Sequence, residues 1–506
     1  MNQVKAGVFL NYVNIVVNIV LGLLYTPYML KMLGQNEYGL YSLVASIISY
    51  LTLLDFGFGS AVVRYTAKFK AEGKVKEQWE MFGMFLTVYL GIGILAFLAG
   101  LGLYFNVDAM FDRTMTATEL SQARIMMMLL IVNLAVTFPL SMFGSIITAY
   151  ENFVFQRVVT MLRLLLSTVV IVVLLFYGYK AVALVVVQTV FNIGYLLVNL
   201  FYAKYKLKIK VWFSHFDFGL LKEISVFSFW QFLNCIMDRI YWSTGQFVLG
   251  SLVGTAAVAV YSVAITLFHM YTTFSNAISG VLLPRVTSMV ANEASTSQIS
   301  DLFIRTGRLQ NIVMQLILSG FIVFGQSFIY LWAGVDYSDS YSIALIFFLA
   351  LYIPLIQNTG VTILQARNQQ KFRCLVYVAI AVVSLGFQIW FAKVWGAVGV
   401  ASAIGGALLL GAGLVINIYY AKVQQINILG FWHEILKMSL VPVILTVIGL
   451  IALNYVELTS WIRLAMGIVL YMAIYISMIW RLSMNADERR LIGAPIKSIT
   501  NKLLHR

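Results

Sequence analysis

Residues 158–204 read VVTMLRLLLSTVVIVVLLFYGYKAVALVVVQTVFNIGYLLVNLFYAK, which is two long apolar runs separated by a turn at Gly178. An α-helix needs roughly 20 predominantly apolar residues to cross a bilayer, and each run reaches that length. Runs of this kind recur along the whole sequence, with short polar connections between them. The segment is therefore typical of a protein that crosses a membrane many times.

The composition of the 506-residue chain points the same way. Hydrophobic residues make up 61% of it and charged residues only 11%, whereas an ordinary soluble domain has roughly 25% charged residues. No soluble core could bury so much apolar surface, so we predict an all-α polytopic membrane protein with about 14 transmembrane helices. The predicted spans are residues 6–30, 38–61, 81–105, 125–148, 158–178, 181–203, 224–250, 252–280, 309–332, 341–364, 374–392, 394–421, 438–456 and 459–480.

The distribution of Lys and Arg sets the predicted orientation. With the N-terminus in the cytoplasm, about 26 of the 34 Lys and Arg residues fall on the cytoplasmic side and about six on the outer side. We therefore expect both the N-terminus and the C-terminus to be cytoplasmic. The predicted outer connections are all short, which leaves no room for an external catalytic domain.

Several functional classes are disfavoured by the sequence. The formal net charge of +14 does not indicate nucleic-acid binding, because the basic residues are spread over many short connections. Cys235 and Cys374 fall inside apolar runs, which disfavours a disulfide framework or a metal cluster. No G-x-x-x-x-G-K-S/T phosphate-binding loop is present, so the chain carries no ATPase motif. We predict no enzyme activity, no catalytic residue, no metal and no cofactor.

An internal repeat relates the first six predicted helices to the next six, with a shift of about 216 residues. Residues 144–157, GSIITAYENFVFQR, align with residues 360–373, GVTILQARNQQKFR, and residues 199–204, NLFYAK, align with residues 417–422, NIYYAK. An even number of helices in each unit predicts two pseudo-symmetric six-helix lobes related by an axis along the membrane normal. The predicted divisions are an N-terminal lobe at 1–210, a C-terminal lobe at 211–425, two additional C-terminal helices at 426–480 and a cytoplasmic tail at 481–506.

Polar side chains form stripes on two helices that the repeat aligns. At spacings of three and four residues, predicted helix one carries Asn11, Asn14 and Asn18, and predicted helix seven carries Gln231, Asn234 and Asp238. Together with Arg239, the two stripes indicate one central substrate cavity. Two alternatives stay open: the stripes could be interhelical hydrogen bonds that pack the helices, and Asp238 with Arg239 could be a structural ion pair.

Other ionisable residues are candidates because a charge in lipid usually faces a cavity or a partner. Arg64, Arg163 and Arg285 could receive an anionic head group, and Asp55, Asp238 and His269 could couple transport to an ion. Simpler interpretations also stay open. Arg163 could snorkel to the cytoplasmic surface, the other two arginines could anchor helix ends, and His269 could be a packing residue.

The first predicted helical hairpin resembles that of the Wzx-type oligosaccharide flippases, a family of the multidrug/oligosaccharidyl-lipid/polysaccharide exporter superfamily. The resemblance rests on Leu33-Gly34, Glu37-Tyr38-Gly39, Tyr41, Asp55-x-Gly57 and Arg64. It implies a flippase that moves undecaprenyl-pyrophosphate-linked oligosaccharide across the bacterial cytoplasmic (inner) membrane by alternating access, for polysaccharides such as O-antigen. The implied partners are this glycolipid, membrane lipids, an H⁺ or Na⁺ counter-ion, and polysaccharide polymerase with its chain-length machinery.

Two rival functions stay open from the sequence. An ion-coupled multidrug antiporter of the same superfamily would usually have twelve helices, fewer than are predicted here. A membrane-embedded glycosyltransferase or polymerase should carry an acidic motif on the outer face, and Asp336 with Asp339 is a poor match for one. Predicted helix one has Asn residues where lipid II flippases have arginines, which disfavours lipid II as the substrate.

Overall fold

The computed structural model describes residues 3–214, 216–280, 283–292, 294–367 and 369–490, and every regular element in these ranges is a helix. Helices satisfy their backbone hydrogen bonds internally, as a lipid environment requires. The predicted all-α polytopic class is confirmed. The α-helices are α1 (Gln3–Leu33), α2 (Gln35–Leu51), α3 (Phe58–Ala71), α4 (Val75–Phe105), α5 (Val107–Phe111), α6 (Ala117–Ala149), α7 (Phe153–Phe176), α8 (Ala181–Phe201), α9 (Phe218–Trp242), α10 (Thr244–Leu252), α11 (Thr255–Gly280), α12 (Leu283–Ala291), α13 (Thr296–Trp332), α14 (Ser340–Ile356), α15 (Asn358–Ala366), α16 (Lys371–Leu408), α17 (Ile416–Lys422), α18 (Ile428–Leu453) and α19 (Trp461–Met478).

Twelve helical segments of the described chain are long and apolar enough to cross a membrane. One of them, Lys371–Lys422, is 52 residues long and contains a turn at Gly396, where φ is +57°. A Cβ atom added to Gly399 would lie 2.3 Å from the carbonyl oxygen of Phe391. Residues eight apart do not meet in a continuous helix, which rises about 1.5 Å per residue. The segment therefore holds two helices, as the sequence predicted.

The helix α9 corresponds to predicted helix seven but is not among the twelve apolar segments. It carries four charged residues, Lys222, Glu223, Asp238 and Arg239, which lower its mean hydropathy. The count of about 14 crossings and the cytoplasmic position of the termini stay predictions.

The chain forms two compact units. The first unit consists of Met1–Ser262 and Tyr377–Val400, and the second consists of Val263–Val376 and Ala401–Arg506. The predicted lobe boundaries at residues 210 and 425 and the predicted helix pair at 426–480 stay predictions.

In the first unit, the second predicted helix is interrupted within its apolar stretch. The helix α2 ends at Leu51, a single 3₁₀ turn covers Thr52–Asp55, and α3 begins at Phe58. Phe56 and Gly57 between them have φ values of 49° and 75°, a left-handed conformation that a non-glycine residue seldom adopts. Interrupted backbone at membrane depth is tolerated where it is buried in protein or lines a cavity. We therefore expect the interruption to be buried in protein or to line a cavity.

Gly39, in the segment that carries the flippase resemblance, is required by close packing. A Cβ atom on Gly39 would lie 1.9 Å from the carbonyl oxygen of Thr255, which begins α11. Since backbone atoms cannot move aside as a flexible side chain can, any larger residue would push the two helices apart. The glycine therefore fixes how closely α2 approaches the start of α11.

In the second unit, α18 and α19 pack against α13 through a continuous apolar cluster. Its buried members include Val323 and Phe324 on α13, Leu445 on α18, and Leu464 and Tyr475 on α19. The hydroxyl of Tyr475 also donates to the carbonyl oxygen of Ile312 at 2.9 Å. The predicted additional helices thus share a core with α13.

The two copies of the repeat make similar aromatic contacts, each within its own part of the chain. Phe155 at the start of α7 stacks on Tyr202 after α8, with ring centroids 3.6 Å apart. Phe372 at the start of α16 stacks on Tyr419 in α17, with ring centroids 4.3 Å apart. In both copies the stacking pairs the beginning of one helix with the end of the helix that follows it.

Candidate functional site

A polar cavity lies among α2, α6, α7 and α8 of the first unit, beside the interruption that follows α2. Its volume is about 490 Å³. We call it the arginine cavity, and its polar lining includes Thr52, Asn133, Thr137, Arg163, Gln188 and Asn192. The four helices that form it are all apolar enough to span a membrane, so the cavity lies at membrane depth.

Arg163 is held in this cavity by a chain of hydrogen bonds. Its Nη1 atom donates to Asn192 Oδ1 at 2.9 Å. The amide of Asn192 donates in turn to Asn133 Oδ1 and to Thr137 Oγ1, each at 2.9 Å. The guanidinium carbon of Arg163 lies 4.9 Å from the centre of the Tyr195 ring, a cation–π contact. Side chains on α6 and α8 therefore fix the guanidinium group in place.

The charge of Arg163 is not neutralised by a carboxylate in the described part of the chain, where its polar partners are uncharged. Arg163 is the eleventh of the 24 residues of α7, close to the middle of the helix. It bonds to Asn192 there, so the side chain is engaged inside the protein. A fixed cation in a neutral polar cavity attracts an anionic group and repels a cationic one.

A second cavity of about 400 Å³ adjoins the first and shares Thr137 and Asn192 with it. We call it the hydroxyl cavity, and its polar lining also includes Ser141, Ser145, Thr148, Gln156, Tyr195 and Asn199. None of its lining residues is charged. Glycines at positions 59 and 144 line it as well, and they leave space that a side chain would fill.

Arg239 of α9 contacts the arginine cavity only indirectly, through a hydrogen bond to a residue of the interruption after α2. Its Nη2 atom donates to Thr52 Oγ1 at 3.0 Å, and Thr52 lines the cavity. Asp238 beside it is exposed. The side chains of Gln231 and Asn234, which the sequence assigned to a substrate cavity, lie outside the described residues.

The Asn residues of α1 are placed differently from Arg163. Asn14 is buried, and its amide donates to the backbone carbonyl of Arg157 on α7 at 3.3 Å. Asn18 is exposed and donates to the backbone carbonyl of Asn14 at 2.8 Å, whereas Asn11 is partly exposed. None of the three is part of the lining of the two polar cavities. Asn14 thus ties α1 to α7.

The remaining sequence candidates are scattered. Asp55 lies in the interruption after α2, where its carboxylate faces the backbone N–H groups of Gly57 and Gly59. Arg64 is exposed near the end of α3, and His269 is exposed on α11. The side chain of Arg285 lies outside the described residues. Among the described residues, no group of three His, Cys, Asp or Glu side chains could hold a metal ion.

Sequence reasoning missed most of the cavity lining because the residues are common polar ones. The spacing of polar residues in the α8 sequence does indicate part of the lining. Gln188, Asn192, Tyr195 and Asn199 follow one another at spacings of four, three and four residues, which places them on one helical face. All four line one or both of the polar cavities.

The fold is similar to those of several solved transporters. The structure of lipid II flippase MurJ in an inward closed conformation matches with a TM-score of 0.70 at 16% identity, covering 91% of this chain and 96% of that one. An inward-facing multidrug resistance MATE family transporter of the MOP superfamily matches with a TM-score of 0.66 at 14% identity, covering 81% and 96%. An outward-facing MATE family transporter matches with a TM-score of 0.61 at 12% identity, covering 86% and 99%.

Sequence comparison adds the family. No curated protein matches the chain at a significant level. The family model described as polysaccharide biosynthesis protein matches residues 4–290, which is more than half of the chain and includes every residue of both polar cavities. This chain therefore belongs to the polysaccharide biosynthesis protein family.

Proposed function

We propose that this protein is a flippase that moves an undecaprenyl-pyrophosphate-linked oligosaccharide from the inner to the outer leaflet of the bacterial cytoplasmic membrane. The oligosaccharide would serve cell-surface polysaccharide such as O-antigen, and polymerase and chain-length proteins would use it on the outer side. Movement by alternating access would need no bond-making chemistry from the chain. The family assignment supports a role in polysaccharide biosynthesis.

The observation that carries the proposal is Arg163 in the arginine cavity. A guanidinium group without a carboxylate partner suits the pyrophosphate of a lipid-linked sugar, which it can bind through charge-assisted hydrogen bonds. The neighbouring Asn, Gln, Ser and Thr side chains suit sugar hydroxyl groups. A polyprenyl tail is apolar and can stay in the surrounding lipid while the head group crosses.

The structural similarity to MATE family transporters favours a second candidate, an ion-coupled multidrug antiporter. A cationic drug in the arginine cavity would be repelled by Arg163, by about 2 kcal/mol at a separation of about 8 Å and an effective dielectric constant of about 20. The repulsion favours the anionic substrate. Coupling to H⁺ or Na⁺ through Asp55, Asp238 or His269 is compatible with both functions.

Reconstitution into liposomes tests the proposal directly. Purified protein is inserted into vesicles that contain a fluorescent undecaprenyl-pyrophosphate-linked oligosaccharide, and movement between leaflets is followed with a membrane-impermeant quencher. Parallel vesicles contain a fluorescent cationic dye and an imposed H⁺ or Na⁺ gradient. We expect movement of the glycolipid and no accumulation of the dye.

A matched control is the same protein with Asp238 replaced by Asn, measured with and without the ion gradient. Unchanged ion dependence in this variant would exclude Asp238 as the coupling group. Dye transport without glycolipid movement would overturn the flippase proposal in favour of the antiporter.

A further inference from the structure

Asn199 on α8 has a buried side chain whose amide oxygen lacks a hydrogen-bond partner in the described part of the chain. The residue is only 1% exposed, and its Oδ1 atom has no hydrogen-bond partner among the described residues. A buried polar group left without a partner is costly and needs an explanation. The residue lines the hydroxyl cavity, so a bound molecule could supply the missing partner.

The repeat provides a comparison within the same chain, because Asn199 aligns with Asn417. The Asn417 Oδ1 atom accepts from Gln357 Nε2 at 2.8 Å and from Trp432 Nε1 at 3.0 Å. Trp432 belongs to α18, one of the additional helices that have no counterpart in the first repeat. The second copy of the asparagine is thus satisfied by protein groups, whereas the first copy is left open to a cavity.

The hydroxyl groups around Asn199 present acceptors to that cavity. The hydroxyls of Thr137 and Ser141 donate to backbone carbonyls within α6, at 2.7 and 2.8 Å. Thr148 donates to Gln156 Oε1 at 2.6 Å. A hydroxyl group whose hydrogen is used in this way still offers oxygen lone pairs. The cavity therefore suits a ligand that brings hydrogen-bond donors.

The charge around the cavity narrows the class of donor. Its lining contains no acidic residue to balance a cation, and Arg163 lies just beyond the shared residue Asn192. A positively charged donor would be repelled by that guanidinium group. A phosphate group is disfavoured in this cavity because it brings hydrogen-bond acceptors, and the hydroxyl groups of the cavity also present acceptors. The hydroxyl groups of a carbohydrate donate hydrogen bonds without carrying a charge, so they match this cavity.

We propose that the hydroxyl cavity is a carbohydrate subsite in which Asn199 is the central hydrogen-bonding residue. The inference rests on the proposed flippase function and assigns the sugar part of the substrate to this cavity, next to an anionic part at Arg163. The volume of about 400 Å³ falls in the range of small-molecule sites, roughly 300–1,000 Å³.

Cysteine protection tests the subsite in the full-length protein. Ser145 is changed to Cys in a Cys235→Ser background, and its reaction with a small maleimide is timed in detergent with and without millimolar neutral disaccharides. The disaccharides are maltose, lactose and N,N′-diacetylchitobiose. We expect at least one to slow the reaction several-fold and Asn199→Ala to weaken this protection about five-fold, the equivalent of one lost hydrogen bond.

Asn417→Ala is the matched control, and it should keep the protection while lowering the thermal midpoint of the protein. Absence of protection by all three sugars, or equal loss of protection in both Asn variants, overturns the subsite. Protection by sodium or by tetraphenylphosphonium instead of sugar also overturns it. Glycolipid movement in vesicles without sugar protection would refute only the subsite, whereas protection without glycolipid movement would refute only the flippase function.

Discussion

At the scale of single residues, Arg163 shows why a charge can be kept inside a membrane. A charged side chain at the centre of a transmembrane helix costs at least about 2.5 kcal/mol on insertion scales. The hydrogen bond to Asn192 and the contact with the Tyr195 ring offset part of that cost. Neither partner removes the net charge, so a bound anion would stabilise the arrangement further.

Replacing Arg163 with Gln is expected to reduce glycolipid movement by about ten-fold to a hundred-fold. The estimate follows from the loss of one charge-assisted hydrogen bond of about 1.5–3 kcal/mol. Arg163→Lys keeps the charge but not the forked geometry, so we expect an intermediate rate. Initial rates in reconstituted vesicles, at equal protein content, provide the measurement.

Arg157→Gln is the matched control, because Arg157 lies on the same helix and its side chain is exposed. It should move glycolipid at the rate of the unchanged protein. Equal rates for Arg163→Gln and the unchanged protein would show that the cavity does not bind the anionic group.

The sequence could single out Arg163 but could not place it. The apolar run that predicts helix five begins at residue 158, which would place Arg163 near the membrane surface, where its side chain could snorkel. The helix begins at Phe153 instead, because polar residues such as Gln156 can occupy its first turns when they bond to a neighbouring helix. The cavity itself depends on contacts among distant helices, which local patterns do not encode.

At the scale of helices, apolar length predicts membrane crossings because a bilayer imposes a fixed length on each of them, and twelve segments of the described chain meet this criterion. The helix α9, which the sequence predicts as helix seven, is not among the twelve apolar segments, because charged and polar residues lower its hydropathy. The criterion of apolar length also hides the interruption between α2 and α3, because the flanking residues are apolar on both sides. The 3₁₀ turn at Thr52–Asp55 and the φ values of Phe56 and Gly57 reveal that break.

Close backbone packing predicts opposite effects for two glycines of α4. A Cβ atom on Gly83 would lie 1.9 Å from the carbonyl oxygen of Trp212, in the connection after α8, whereas Gly91 has nothing within 4 Å. We expect Gly83→Ala to destabilise this packing by about 1–3 kcal/mol. Gly91→Ala should be neutral or stabilising by up to about 1 kcal/mol, since Ala favours helix.

Limited trypsin digestion measures the difference, because Lys208 and Lys210 lie in the same connection. Cleavage there should be faster in Gly83→Ala than in Gly91→Ala. Equal cleavage rates would show that the connection does not depend on its contact with α4.

An ionic cluster joins α13 and α18 to the segment after α19. Arg308 donates through Nε to Glu488 Oε1 at 2.6 Å and through Nη2 to the Ser483 carbonyl at 3.0 Å, and it also pairs with Glu434. Glu488 is fully buried and Arg308 is 6% exposed. Removing one partner of such a pair leaves a buried charge uncompensated, which typically costs about 3–5 kcal/mol.

Arg308→Gln should therefore lower the thermal midpoint strongly, and the double variant with Glu488→Gln should recover much of the loss. Arg305→Gln is the control, because Arg305 lies one turn away on α13 and is exposed. Differential scanning fluorimetry in detergent measures all three variants. A midpoint for Arg308→Gln equal to that of Arg305→Gln would show that the cluster does not stabilise the second unit.

At the scale of the whole molecule, the fold alone does not select the substrate. The same arrangement of helices is similar to a lipid II flippase and to multidrug transporters, at identities of 12–16%. Selection of the substrate therefore depends on the chemistry of the cavity residues. The fixed positive charge of Arg163 favours an anionic substrate over a cationic one. A substrate that crosses with a net negative charge also responds to the membrane potential, which a neutral substrate does not.

An inside-negative potential should speed outward movement of the glycolipid. Moving one negative charge outward across 100 mV releases about 2.3 kcal/mol, which corresponds to about 50-fold in the equilibrium distribution for each charge that crosses. A potassium gradient with valinomycin sets the potential in reconstituted vesicles of known protein orientation, and quencher-accessible fluorescence gives the initial rate. Reversing the gradient should slow the same movement, whereas a neutral glycolipid of equal sugar and chain length should respond to neither polarity. Acceleration of outward movement by an inside-positive potential would mean that the head group does not cross as a net anion, and the assignment of its charged part to Arg163 would then be wrong.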